Sequence, residues 1–288
     1  MAWMDSIADL HVHSCFSDGT MTPAELLDAA AARGVGLLAL TDHDLLEGAR
    51  ALRDLPGKRG VSCVSGVELD AMDFGLNFHI LGYGVDLDDL GFQAFCRENR
   101  ERLEEVNRRL IVKMERAGEP VSLAEYEAFA YEPTLGGWTA LHYFLSKGLT
   151  EELAGGLSVY GKYSHSYTCV GFPSISEVSG RIHAAGGLAV LAHPGEVIPR
   201  EDMAAFRAAV LSAMAQGLDG IECHYPFHPP EVTELCLALC REHGWLVTCG
   251  SDCHGGFGHS RVGELPVTVG SLPGIERIAH LIEKGIPE

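Results

Sequence analysis

The sequence predicts a parallel α/β protein. Short apolar runs alternate with helical segments through most of the chain, and polar residues able to do chemistry recur where those runs end. A length of 288 residues suits one large α/β domain or a barrel with an insertion, and 47% hydrophobic residues supply a substantial core.

The first apolar run is Ile7–Val12. A helix then starts after Thr22, with Pro23 at its first position and Glu25 three residues past the cap, and Gly34 ends it. A second strand, Val35–Leu40, runs into Thr41-Asp42-His43-Asp44. A third, Val61–Val67, leads to Glu68, and a fourth, Leu76–Tyr83, contains His79. From about residue 88 to 118 the chain is highly charged, with Leu103, Val106, Leu110 and Met114 at helical spacing. Helices are expected over Ser122–Tyr131 and Trp138–Lys147, so 88–170 reads as a helical insertion. The α/β rhythm then resumes with a capping box at Ser174 and Glu177 and a helix ending at Gly186-Gly187. Strand Leu188–Ala192 runs into His193-Pro194, and a helix near 201–216 precedes strand Gly220–Tyr225. Helix Pro230–His243 leads to the seventh strand, Trp245–Cys249, and then Gly250-Ser251-Asp252-Cys253-His254. The expected organisation is a strand-and-helix unit made of 1–87 and 171–288, interrupted by a helical unit at 88–170.

Net charge is −19, which argues against a long nucleic acid as partner, because such binding needs clustered Lys and Arg. A small phosphorylated metabolite stays compatible, since one local cationic site acts over only a Debye length. The N-terminal MAWMDSIADL carries no basic segment followed by a long apolar stretch, so no signal peptide, membrane span or membrane partner is expected. Nine cysteines with no C-x-x-C pair read as reduced thiols of a cytoplasmic protein. No motif specifies an oligomeric state.

In parallel α/β barrels functional groups gather at the C-terminal ends of strands. Here that rule selects His11 and His13, which flank Val12 and point the same way in an extended chain. Asp18 follows in the next loop, His43 and Glu68 follow the second and third strands, and His193 follows the fifth. Asp252 and His254 repeat the two-residue spacing after the seventh. His79 lies inside its strand, where a hydrogen-bonded core histidine is the competing reading. Together these are six imidazoles and three carboxylates, a donor set suited to Zn²⁺, Mn²⁺ or Fe²⁺ and too large for one ion. Each pair alone is an incidental motif; their recurrence at successive strand ends is not. Three divalent ions against three carboxylates and a bridging hydroxide leave a positive site that complements a phosphate dianion, so the expected chemistry is metal-activated hydroxide attacking phosphorus. A non-catalytic metal-binding regulatory module and a metal-dependent amide hydrolase are the competing classes.

Taken together, D-L-H-V-H-S at 9–14, S-D-G at 17–19, T-P-A-E-L at 22–26, L-T-D-H-D at 40–44, G-V-E at 66–68, H-A-A-G-G at 183–187, L-A-H-P-G at 191–195 and G-S-D-C-H at 250–254 resemble the polymerase and histidinol phosphatase (PHP) family. The resemblance implies a distorted seven-stranded (β/α)7 barrel, the 88–170 segment forming a helical cap, and a three-metal phosphoesterase of the small-molecule branch. It implies that His11, His13, Glu68 and Asp252 hold one ion, that Glu68 bridges to a second held by His79 and His193, and that Asp18, His43 and His254 hold a third. Asp18, His43, Glu68 and Asp252 are expected to serve catalysis as well as ligation. Lys162 fits the family's basic residue at the end of the insertion and is expected to contact substrate phosphate. Trp138 either stacks on a base or sugar or fills the core of the insertion, and His228 is expected to line the pocket. Two departures stand out. No arginine occurs near Gly137-Trp138-Thr139, and Glu196 follows A-H-P-G where the nucleotide-phosphatase branch carries arginine. Both weigh against a 3′,5′-bisphosphate nucleotide and keep a cyclic phosphodiester or a phosphorylated sugar in view. Histidinol phosphate is less favoured because the insertion is large.

Overall fold

Each apolar run becomes a strand, and the strands lie side by side in chain order. The computed structural model describes residues 4–284, with β1 (Ile7–Val12), β2 (Val35–Leu40), β3 (Ser62–Asp73), β4 (Leu76–Tyr83), β5 (Leu188–Leu191), β6 (Gly220–His224) and β7 (Leu246–Cys249). The helices are α1 (Pro23–Ala32), α2 (Glu47–Asp54), α3 (Leu90–Arg116), α4 (Leu123–Glu127), α5 (Thr139–Ser146), α6 (Leu157–Lys162), α7 (Ile175–Ala184), α8 (Pro194–Val197), α9 (Met203–Met214), α10 (Pro230–His243) and α11 (Glu276–Lys284). Every residue of β2 is buried, as befits a strand covered on both faces.

The sheet is mostly parallel, but β4 runs antiparallel to both β3 and β5. This corrects the uniformly parallel expectation, and the reason is local. The pattern ends the third strand at Val67; the structure carries β3 on to Asp73, where it turns back through Phe74 and Gly75 with φ of 50° and 76°. Positive φ at both central residues marks the two-residue turn whose twist matches its strands, and so short a loop joins only antiparallel neighbours. The register sets Asp70 opposite His79, so Glu68 and Asp70 share a face with that ring. At the other side of the sheet the chain beyond β7 meets β1. Asp252 N–H donates to His11 O at 2.8 Å, and His13 N–H donates to Cys253 O at 2.9 Å.

Three apolar clusters hold these elements. The largest packs β3 to β7 against helices that include α7, α9 and α10. A second seats Leu26, Leu27 and Ala30 of α1 on Val35, Leu38 and Leu40. The third lies wholly within the helical segment between β4 and β5 and joins Leu110, Ile111 and Met114 to Tyr126, Tyr143 and Phe144. α3 spans two of them: Phe92, Phe95 and Cys96 sit in the sheet's cluster, and its C-terminal half sits in the third. The helix expected over Ser122–Tyr131 shortens to α4, because Tyr126 is its only buried residue and one turn suffices to seat it. Short α2 escapes the sequence pattern because small Gly48 and Ala49 make most of its buried face. No helix among the described residues is long and apolar enough to cross a membrane.

Candidate functional site

Glu68 occupies the middle of the site. β3 carries it into the interior, 1% exposed, where its two oxygens divide five imidazoles between them. Oε1 lies 2.9 Å from His79 Nδ1 and 3.0 Å from His193 Nε2. Oε2 lies 3.2 Å from both His11 Nε2 and His13 Nε2, and 3.3 Å from His43 Nδ1. Asp252 Oδ1 approaches the first pair from the opposite side, 3.4 Å from His11 Nε2 and 3.1 Å from His13 Nε2. Asp18 Oδ2 lies 3.3 Å from His254 Nε2 and 3.9 Å from His43 Nε2. All nine donor residues marked by the sequence thus meet in one place. Their loops are held in uncommon backbone conformations, with φ of 22° at His193, 51° at Asp252 and 52° at Asp44.

Donor spacing and charge both fit metal ions. His11 Nε2 and His13 Nε2 lie 3.1 Å apart and each 3.1–3.4 Å from Glu68 Oε2 and Asp252 Oδ1, and the four ligand atoms lie within 4.8 Å of one another. Tetrahedral ligands at bond lengths of roughly 2.0–2.1 Å stand about 3.4 Å apart. His13, Asp18, His43 and His254 form a second convergent group, and His43, Glu68 and His79 a third. His13 Nδ1 is buried without a hydrogen-bond partner, 3.5 Å from Asp18 Oδ1. Burial alone would raise the Glu68 carboxyl, but the rings of His11, His43 and His79 hold it well below its ordinary range. Burial likewise disfavours a charged His13, yet Asp252 and Glu68 push it up to about 10. Burial lowers His43 to about 4, so its ring stays neutral and able to donate a lone pair. A site that draws positive charge this strongly is satisfied by protons or by divalent cations.

Around the donors lies a supporting shell that motif reading did not single out. Glu222 of β6 is fully buried; it accepts from His11 Nδ1 at 3.1 Å and from the His193 backbone N–H at 2.9 Å. That contact leaves His11 Nε2 free to ligate. Gly250 is required beside it, since a Cβ there would stand 2.1 Å from His11 Cβ. Asp9 accepts from Ser251 N–H and Gly263 N–H, pinning the segment that carries Asp252. Asp42 accepts from Ser14 and Ser17, pinning the loop that carries Asp18. Asp70 stands 3.4 Å from His79 Nε2, and Tyr225 OH donates to Asp252 Oδ2 at 3.1 Å. Glu222 and Asp70 therefore make the site less positive than a count of three carboxylates implies. Their signal in the sequence is an acidic residue inside an apolar strand, as in Gly220-Ile221-Glu222-Cys223, which has no reason to be buried without a partner.

Beside the donors opens a cavity of ≈ 200 Å³. Asp18, His43, Asp70 and His79 line it on the sheet side, and Arg100, Asn107, Trp138, Tyr160 and Tyr167 on the insertion side. Trp138 both lines the cavity and packs against the third apolar cluster, with its indole N–H donated to Tyr160 OH at 2.9 Å. Lys162 is 62% exposed, pairs with Glu119 at 2.7 Å and is not among the residues lining the cavity. His228 is not among them either: its Nε2 accepts from Gly195 N–H at 3.1 Å and its Nδ1 faces Cys223 O at 3.2 Å. Arg100, which the pattern gave no role, also lines the cavity, paired with Glu104 at 3.3 Å.

Residues 9–183 match the PHP domain. The chain is 33% identical to the phosphoribosyl 1,2-cyclic phosphate 1,2-diphosphodiesterase of Eggerthella lenta, over 88% of this chain and 95% of that protein. It is 31% identical to the 3′,5′-nucleoside bisphosphate phosphatase of Chromobacterium violaceum, over 85% and 86% of the two chains. More distant 5′–3′ exoribonucleases of Haemophilus influenzae and Escherichia coli also match. Among solved structures, one from Bifidobacterium adolescentis, assigned as a metal-dependent phosphoesterase, superposes with a TM-score of 0.76 at 26% identity, over 97% and 96% of the chains. Fold and site define a metal-dependent phosphoesterase, a hydrolase of phosphoric ester bonds. The chain belongs to the PHP family.

Proposed function

We propose that this enzyme hydrolyses a small phosphorylated sugar, including a five-membered cyclic phosphodiester that it opens and then dephosphorylates. The observation that carries this reading is the cavity of ≈ 200 Å³, lined by three of the nine donors, Asp18, His43 and His79, and by one guanidinium, Arg100, which pairs with Glu104 at 3.3 Å. Drug-sized ligands occupy roughly 300–1,000 Å³. A pentose phosphate suits the smaller space better than a nucleoside carrying two phosphates. The kinship with a diesterase of a phosphoribosyl cyclic phosphate points the same way.

Three divalent ions, Mn²⁺, Zn²⁺ or Fe²⁺, are assigned to the donors: one to His11, His13, Glu68 and Asp252, one to Glu68, His79 and His193, one to Asp18, His43 and His254. Bound there, they supply Lewis acidity that polarises phosphoryl oxygens and acidifies water. The protein's own groups do the rest. Glu68 and Asp252 fix the donor geometry from the sheet, and Asp18 and His43 fix it from the loops. Arg100 offers a fixed charge to an anionic group of the substrate, and Trp138 and Tyr160 form an apolar wall against its ring. In this reading the sheet closes as a distorted (β/α)7 barrel of residues 1–87 and 171–288, and 88–170 is its helical cap. The hydrogen bonds between β1 and the chain after β7, and the separate apolar cluster of the insertion, support that division. Free thiols suit a reducing, cytoplasmic setting.

Phosphate release from metal-reconstituted enzyme tests the function. The panel holds pentose phosphates, five-membered cyclic sugar phosphates, nucleoside monophosphates and 3′,5′-bisphosphates, histidinol phosphate and a short 5′-phosphorylated RNA. Highest kcat/KM on the sugar phosphates is expected; a clear preference for bisphosphates or RNA overturns the substrate assignment. Arg100→Ala is expected to lower kcat/KM by roughly 10–100-fold, mostly through KM, as loss of a charge-assisted contact does. Lys162→Ala, altering only a surface pair, is expected to stay close to wild type. The reverse ranking would return phosphate recognition to Lys162.

A further inference from the structure

We infer that the insertion is a structural part of one metal subsite: the backbone at Gly136-Gly137 clamps the two loops that present Asp18 and His254. This inference rests on the assignment of an ion to Asp18, His43 and His254.

The contact begins with a backbone conformation. Gly136 and Gly137 have φ of 72° and 67°, a region open to glycine and strained for other residues. Their turn brings the Gly137 N–H to the Asp18 carbonyl at 2.7 Å. The approach leaves no room for a side chain. A Cβ on Gly136 would stand 2.7 Å from Phe257 Cβ, 2.8 Å from Thr20 Cγ2 and 3.1 Å from Asp18 O. The turn is held on its own side by Tyr131 OH, which donates to Gly137 O at 2.9 Å, and by His142 Nε2, 2.8 Å from Gly136 O. His142 stacks on Tyr131 with ring centroids 4.1 Å apart.

Beneath the turn, the two loops are tied to each other. Thr20 N–H donates to His254 O at 3.1 Å, and Gly256 N–H donates to Thr20 Oγ1 at 2.8 Å. Phe257 closes the stack, 6.3 Å from both Trp138 and His254 by ring centroids. The Asp18 Oδ2–His254 Nε2 separation of 3.3 Å is therefore set by three segments, one of which comes from the insertion. His11, His13, Glu68 and Asp252 differ. Their backbones lie in or beside the sheet, with no contact to residues 136 and 137 among those named above. A disturbance at Gly136 thus falls first on Asp18 and His254, and reaches the group around His11 and His13 only through Asp252, which shares the loop of His254.

Gly136→Ala is the decisive variant, and Gly148→Ala is its control. Gly148 lies in the same insertion at φ 68°, but a Cβ there meets nothing within 4 Å. Both positions have positive φ, but Gly136, at ψ 179°, lies in the region essentially reserved for glycine, and it alone obstructs docking; Thr20→Val tests the same clamp without backbone strain. Metal content after dialysis and chelator competition are read alongside amide hydrogen exchange of residues 14–20 and 252–258. For Gly136→Ala the expected result is loss of one ion per chain, or a roughly 10–100-fold weaker affinity for it, with faster exchange in both loops. Gly148→Ala is expected to keep wild-type stoichiometry and exchange. Equal losses in both variants, or wild-type metal retention and exchange in Gly136→Ala, overturn the inference. Thr20→Val removes the hydroxyl that accepts from Gly256 and keeps the side-chain shape. It serves if Gly136→Ala does not fold, with a smaller loss of the same ion expected and unchanged retention counting against the clamp. Fewer than three ions on the wild-type protein would refute the three-ion assignment, and loop exchange alone would then decide whether the clamp exists.

Discussion

Asp252→Ala protein is expected to fold and to lose at least roughly 1,000-fold in kcat, the equivalent of about 4 kcal/mol of transition-state stabilisation. The residue contributes one oxygen to the pair His11 and His13, and accepts from Tyr225 with the other. Its backbone N–H, which binds His11 O, survives the substitution, so the junction between β1 and the chain after β7 persists. The side chain is 17% exposed, which limits the stability lost with it. His11→Ala should match it in activity but not in stability. That ring is fully buried, and removing it leaves the Glu222 carboxylate without the donor at 3.1 Å. An unpaired buried charge is strongly destabilising. Phosphate release, metal content and a thermal melt on both variants separate these effects. Near-normal turnover by metal-loaded Asp252→Ala protein would remove this carboxylate from the centre and, with it, the proposed grouping around His11 and His13.

The features legible in the sequence are those encoded by local pattern. Strand ends announce themselves by the passage from apolar run to polar residue, so His11, His13, His43, His193, Asp252 and His254 were visible as a set. The inversion of β4 was less visible, because Leu69, Ala71 and Met72 continue the apolar texture of β3 and only Phe74-Gly75 marks the turn. Contacts made across the fold leave fainter traces. Arg100 is one of several arginines on a highly charged helix, it pairs with Glu104 as its neighbours pair with theirs, and nothing in the local pattern marks it as the arginine that lines the cavity. Lys162 stood out for its place in the chain, yet it finds Glu119, a partner 43 residues away that no local pattern foretells.

Glu222 shows how much rests on such a hidden contact, and Glu222→Gln is expected to weaken the ion at His11 by roughly 10–100-fold while lowering stability by about 1–3 kcal/mol. The wild-type carboxylate offers one oxygen to His11 Nδ1–H at 3.1 Å and the other to the His193 N–H at 2.9 Å and, at 3.3 Å, to the same ring nitrogen, so both partners donate. An amide offers only one oxygen. With its NH₂ turned to His193, two donors face each other across 2.9 Å. With its NH₂ turned to His11, Nδ1–H keeps only the longer contact at 3.3 Å, to an oxygen already taken by the His193 N–H, unless the ring accepts at Nδ1 and carries its proton on Nε2, the nitrogen that faces Glu68 and Asp252. Either orientation harms the site, and neither can be relieved by movement, because the residue is fully buried beside Gly250. Chelator competition on the variant reads the affinity directly. Turnover measured against rising metal concentration then distinguishes roles: a positioning residue yields activity that recovers as the ion is forced in, whereas a group acting on substrate leaves kcat low at saturation. Wild-type metal affinity and melting temperature in Glu222→Gln would show that the His11 ring is oriented by something other than this carboxylate.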